Sequence, residues 1–123
     1  MMIEAVISVV DDDDEVRSGI ESLLQSLDYT VHTFASAEEF LTSPQLHHTA
    51  CVVSDVRMPG LSGVELQAVL HAEGHHIPVI LLTGQPDEHV RDHAMRAGAV
   101  AFMSKPISEA DLILCLDRAL KKA

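Results

Sequence analysis

Five short apolar runs punctuate the chain, near residues 4–10, 30–34, 50–54, 78–82 and 100–104. Each is short enough for a strand. Most read as nearly continuous apolar stretches, the pattern of strands covered on both faces. The segments between them carry a helical period instead. Val16, Ile20, Leu23, Leu24 and Leu27 recur at helix spacing, and Phe40 and Leu41 mark a short second helix opened by Ser36-x-x-Glu39, a capping box. Val64, Leu66, Val69 and Leu70 mark a third helix, with Gly74 suited to its C-terminal cap. Val90, Ala94 and Ala97 mark a fourth, ended by Gly98. Leu112, Ile113, Leu116, Ala119 and Leu120 mark a fifth, opened by Ser108.

Strand and helix thus alternate five times. Such alternation implies parallel pairing with right-handed crossovers. The expected architecture is a (βα)5 doubly wound parallel five-stranded sheet of order 2-1-3-4-5, one domain over residues 1–123. Its switch point falls between the first and third strands. The longest loops are expected after Asp55 and Thr83, at the edge where functional loops gather.

That topology matters because four of the runs end on residues able to do phosphate chemistry. Ile7-Ser8-Val9-Val10 meets Asp11 to Asp14, and Cys51-Val52-Val53-Ser54 meets Asp55. Val79-Ile80-Leu81-Leu82 meets Thr83, and Val100 to Ser104 meets Lys105-Pro106. In open α/β sheets ligands bind along the carboxyl edge of the strands, where all four would stand.

Asp13, Asp14 and Glu15 are well explained as an acidic helix start. Asp11 and Asp12 are not, because they stand where the strand ends. Two carboxylates about 4 Å apart repel by about 1 kcal/mol in water and by several times more near a protein surface. Asp55 adds to that repulsion, and a hard dication such as Mg2+ relieves it. A carboxylate beside such a cation can act as a nucleophile toward phosphorus. The Thr83 hydroxyl and the Lys105 ammonium could each serve one phosphoryl oxygen.

Composition narrows the function classes. With 8 Lys and Arg against 19 Asp and Glu, the formal charge is −11. Direct nucleic-acid binding and attachment to anionic membranes are therefore not expected. Hydrophobic residues make up 47% of the chain and aromatic ones 3%, so the core must be aliphatic. Cys51 and Cys115 form neither a disulfide framework nor a zinc spacing. No window reaches the roughly 20 apolar residues of a membrane span, and Met1 to Glu4 carry no basic leader. A cytoplasmic location is the expectation.

The eight histidines form no ligand constellation of known spacing. His89 and His93 stand one helical turn apart, while His47-His48 and His75-His76 read as loop or helix-end residues; all read as solvated surface. Met58 reads as loop packing, and Lys121-Lys122 as favourable charge at a helix end. On the last helix, Leu114 and Cys115 exceed what one buried stripe needs; core burial and a partner-facing surface are equally compatible with them.

Together Val9-Val10-Asp11-Asp12, Ser54-Asp55-Val56-Arg57-Met58-Pro59-x-x-Ser62-Gly63, Leu82-Thr83-Gly84, Ala97-Gly98-Ala99 and Lys105-Pro106 resemble the response-regulator receiver domains of bacterial two-component signalling. Thr83-Gly84 and Ala97 to Val100 look most like the FixJ-type subgroup. The resemblance covers essentially the whole chain and implies a flavodoxin-like fold. It implies that Asp55 is the phosphoacceptor, with Thr83 and Lys105 contacting the phosphoryl group. It also implies Mg2+ held by Asp12, Asp55 and the backbone carbonyl of Arg57, with Asp11 acting mostly through a metal-bound water. A cis Lys105-Pro106 peptide and a switch pair, Thr83 and Phe102, follow from the same likeness. Phe102 stands where the family often has Tyr, and Ile107 replaces a frequent Phe.

The partners so implied are a sensor histidine kinase and an output domain or downstream protein, with a homodimer as one response to phosphorylation. The chain's own chemistry would be confined to self-phosphorylation and autodephosphorylation. Two other readings compete with this one. A Mg2+-dependent aspartyl-phosphate phosphatase of the haloacid-dehalogenase type could use the letters Asp11-Asp12-Asp13, but the chain has no room for a cap domain. A binding module that is never phosphorylated would usually lack an acidic residue, the Thr or the Lys, and all are present.

Overall fold

The computed structural model describes residues 5–120, so Met1 to Glu4 and Lys121-Lys122 lie outside the described residues. Five strands, β1 (Val6–Val10), β2 (Thr30–Phe34), β3 (Cys51–Asp55), β4 (Val79–Thr83) and β5 (Ala101–Ser104), form one sheet of order 2-1-3-4-5. All pairings are parallel. Five helices join them: α1 (Asp14–Ser26), α2 (Ala37–Leu41), α3 (Gly63–Ala72), α4 (Glu88–Arg96) and α5 (Glu109–Leu120).

Strand pleating sends alternate side chains to opposite faces, and each face has its own core. Ile7, Val9, Cys51, Val53, Ile80 and Leu82 pack under Ile20 and Leu24 of α1 and Leu112 and Leu116 of α5. Val10, Val52 and Leu81 pack under Phe40 of α2, Leu66 and Leu70 of α3, and Ala94 of α4. Burying each such aliphatic side chain contributes about 1.5–3 kcal/mol. Phe34 and Phe40 meet edge-on, with ring centroids 5.2 Å apart. Cys51 and Cys115 are free buried thiols, and burial pushes that of Cys51 up to about 12.

Helix starts follow the capping chemistry. Asp13, Ser36, Ser62 and Asp87 each accept first-turn amides with their side chains. The expected box at Ser36 closes differently: Ser36 Oγ accepts from Glu39 N, but Glu39 Oε1 accepts from Ala35 N rather than from the cap residue. The full reciprocal box belongs to Ser62 and Glu65. Because Asp87 starts α4 early, the loop after Thr83 (84–87) is no longer than the one at 105–108, contrary to expectation. The chain before β3 also makes a 3-10 turn, Pro44–His48, which the apolar pattern does not announce. On α5 the two surplus residues part company, Cys115 being buried and Leu114 62% exposed.

Register sets the functional edge. Val10 stands opposite Phe34 and Ser54, Asp55 opposite Leu82, and Thr83 opposite Ser104. Asp11 N donates to Phe34 O at 3.1 Å and Lys105 N to Thr83 O at 2.8 Å, so the ladder continues through the first residues past the strands. Asp11, Asp55, Thr83 and Lys105 therefore leave the sheet along one line.

Candidate functional site

Asp11, Asp12 and Asp55 each offer a carboxylate oxygen within 4.8 Å of the others. Among the described residues they are the group of His, Cys, Asp and Glu side chains gathered tightly enough to hold an ion. Asp11 and Asp55 are buried and Asp12 is exposed, which leaves one side of the cluster open to solvent. The acidic run divides its labour by position. Asp11 Oδ1 accepts from Asp13 N at 2.9 Å, turning the chain out of the strand, and Asp13 caps α1. Asp14 pairs with Arg17, whose other guanidinium nitrogen donates to Asp11 O. Asp12 remains turned to the open side.

Lys105 lies between the two buried carboxylates. Its Nζ is 3.1 Å from Asp11 Oδ2 and 3.3 Å from Asp55 Oδ1. Burial works against the ammonium, but the hydrogen bond and charge of Asp11, with those of Asp55, hold its pKa above the ordinary lysine value. Asp55 is pushed the other way in energy. Burial and then the Asp11 charge raise its pKa above the usual carboxylate value, more than Lys105 lowers it. One ammonium thus does not neutralise the cluster. Three hard oxygen donors around an under-compensated negative charge, open on one side to water, suit Mg2+, which is commonly held by carboxylates and waters.

Thr83, buried at the end of β4, makes its contacts within its own loop. Its Oγ1 accepts from Gln85 N and donates to Gln85 O, both at 3.1 Å. Arg57 has an exposed side chain in the loop after Asp55. Phe102 is half-buried against the core that contains Ala94 and Ala99. The Lys105–Pro106 peptide is cis. Gly63 opens α3 against the acceptor strand: a Cβ there would lie 2.3 Å from Asp55 O and 3.0 Å from a Leu81 methyl. This close approach gives the Ser62-Gly63 pair a physical reason.

The histidines stay apart from this cluster. His89 and His93 are exposed and line a groove of about 570 Å3 with Arg57, Met58, Val64 and Val90. His75 lies 3.9 Å from Glu73, and its ring sits 5.8 Å from that of His47 at a tilt of 56°. Three contacts between elements have no local sequence signal. Lys105 to Asp11 spans 94 positions, the buried Ser8–Thr49 hydroxyl pair spans 41, and Glu38 to Leu61 spans 23. The Ser62-x-x-Glu65 cap does have a signal, the same spacing read at Ser36.

The family profile of the response regulator receiver domain matches residues 7–117. The transcriptional regulatory protein FixJ of Azorhizobium caulinodans is 39% identical over 117 residues, covering 95% of this chain and 56% of that protein. The response regulator protein TmoT of Ectopseudomonas mendocina is 39% identical over 120 residues, covering 98% of this chain and 54% of that protein. The chain therefore spans about half the length of these curated relatives. Among solved structures, the FixJ-N crystal structure superposes with a TM-score of 0.88 at 35% identity, covering 99% of this chain and 98% of that one. The BeF3-activated DrrB receiver domain superposes at 0.87 with 31% identity, covering 98% of this chain and 100% of that one.

Proposed function

The chain belongs to the response regulator receiver family of two-component systems, and from that membership we propose that Asp55 accepts a phosphoryl group from the phosphohistidine of a sensor kinase. The observation that carries the reading is the under-compensated Asp11–Asp12–Asp55 cluster, held beside Lys105 at the carboxyl edge of the sheet.

Asp11, Asp12, Asp55 and the Arg57 carbonyl would hold Mg2+. Bound there, the ion would screen the charge on the phosphoryl oxygens and on the incoming carboxylate. An Asp55 carboxylate oxygen attacks phosphorus as the P–N bond to the donor imidazole breaks. The electron pair of that bond returns to the imidazole, which takes up a proton, and an acyl phosphate remains on Asp55. Lys105 already touches Asp55 Oδ1 and is in place to exchange that contact for a phosphoryl oxygen. Thr83 must turn its hydroxyl hydrogen away from Gln85 O before it can donate to another oxygen. That release would bias α4, β5 and α5 between two arrangements, with half-buried Phe102 following.

On this reading residues 1–123 are one phosphoacceptor domain, active only in its own phosphorylation and autodephosphorylation. It acts in the cytoplasm on an output domain or downstream protein, with homodimerisation as one response. The net charge of −11 supports a role away from nucleic acid and membranes. The test is beryllofluoride, an acyl-phosphate mimic, added with Mg2+ to 15N-labelled protein. Amide shifts should appear at Asp55, Thr83 and β5 and require Mg2+. Identical spectra with and without the reagents would reject the reading.

A further inference from the structure

The loop that follows Asp55 is fixed firmly at its base. Val56 N donates to Leu82 O at 2.8 Å, and Val56 O accepts from Gly63 N at 2.9 Å. Ser62 closes the capping box of α3. Between these anchors runs the segment 57–61, which carries the Arg57 carbonyl. Its far side is tied by a residue from another element: Glu38 Oε2, on α2, accepts from Leu61 N at 2.9 Å. Gly60 has φ +77, and a Cβ there would meet Glu38 Oε2 at 2.4 Å. The left-handed backbone at Gly60 favours glycine, and a side chain there would displace the Glu38 carboxylate.

A glutamate in the first turn of a helix is ordinarily explained by the helix dipole alone. The dipole does not require the carboxylate to reach across to a second element, nor that element to drop its side chain. The Leu61 amide, and then the residue's own backbone amide, hold the Glu38 carboxyl below the usual glutamate range.

We propose that Glu38 is a positioning residue for the Mg2+ site, acting through the Leu61 amide to set the loop that presents the Arg57 carbonyl beside Asp11, Asp12 and Asp55. The inference rests on the reading that this carbonyl and these carboxylates hold Mg2+. Outer partners that orient metal ligands commonly change affinity strongly when removed.

The test is MgCl2 titrated into the 15N-labelled chain, following the amides of Asp12, Asp55 and Arg57. Three variants separate hydrogen bond from charge. Glu38→Ala loses both; Glu38→Asp keeps the charge but is one methylene short; Glu38→Gln loses the charge but keeps an oxygen that can accept from Leu61. Glu38→Ala and Glu38→Asp should bind Mg2+ about tenfold more weakly, with Glu38→Gln within about twofold of the parent, if outer-shell positioning is at work. Unchanged binding in Glu38→Ala overturns the proposal. So does the opposite order, Glu38→Asp tight and Glu38→Gln weak, which would make the effect one of charge. A parent chain that shows no Mg2+ response overturns the metal reading itself.

Discussion

Lys105 Nζ stands 3.3 Å from Asp55 Oδ1, so the cation from the end of β5 already touches the carboxylate proposed to take phosphorus. The same ammonium holds Asp11 Oδ2 at 3.1 Å. Without Mg2+, Lys105 is the one cation whose side chain reaches both buried carboxylates among the described ion pairs.

Lys105→Gln should therefore destabilise the metal-free protein by about 2 kcal/mol, the scale of a lost charge-assisted hydrogen bond in a partly buried site. Urea denaturation at pH 7 measures this. Because the folded-state pKa of Lys105 is raised, its contribution is fully present below the ordinary value of 10.5 and disappears as pH climbs through the raised value. The parent–variant gap should hold from neutral pH to about 10.5 and close as pH climbs from there through the raised value. Saturating Mg2+ should raise the variant's melting temperature more than the parent's.

Asp55 titrates with the opposite consequence. Its pKa is raised above 3.8, so the protonated form is favoured in the folded state. That contribution is present below the ordinary carboxylate range and lost as pH rises through the raised value. Asp55→Asn should consequently stabilise the metal-free protein at pH 7 by about 1–2 kcal/mol, the order of a buried polar group's desolvation. The gain should shrink as pH falls toward 3.8. Thermal melts of both proteins between pH 4 and 7 measure the slope.

Gly63→Ala places a methyl 2.3 Å from Asp55 O, a backbone atom that cannot rotate away. The variant should lose about 1–3 kcal/mol, as overpacked sites do. Its amide shifts should be largest at Asp55 and Val56. Gly19→Ala, which meets nothing within 4 Å, is the control and should be neutral or slightly stabilising.

Thr83→Ala removes both Gln85 contacts, at a cost of about 1 kcal/mol. Asp55 should still take up phosphorus in this variant. The amide changes that phosphorylation produces in α4 and β5 should be lost, because no hydroxyl is left to follow the phosphoryl group. Parent-like changes there would remove Thr83 from the switch.

Much of this edge is legible in the sequence, for a physical reason. Parallel strands register with one another, so residues that end apolar runs must end up along one line, and Asp11, Asp55, Thr83 and Lys105 do. What the pattern cannot give is set by side chains reaching between elements. The Glu38 bond to Leu61 and the double contact of Lys105 depend on how helices and loops pack, not on any local period. The Ser36 box misled because a Glu three residues on can reach either of two neighbouring amides, and it reaches Ala35. The 3-10 turn at Pro44–His48 has one buried apolar residue, Leu46, too few to announce itself by periodicity.

Mass spectrometry after incubation with acetyl phosphate and Mg2+ addresses the proposed chemistry most directly. The parent chain should gain the mass of one phosphoryl group, and Asp55→Asn should gain none. Equal labelling of the two proteins, or labelling of the parent undiminished when Mg2+ is chelated, would contradict the account.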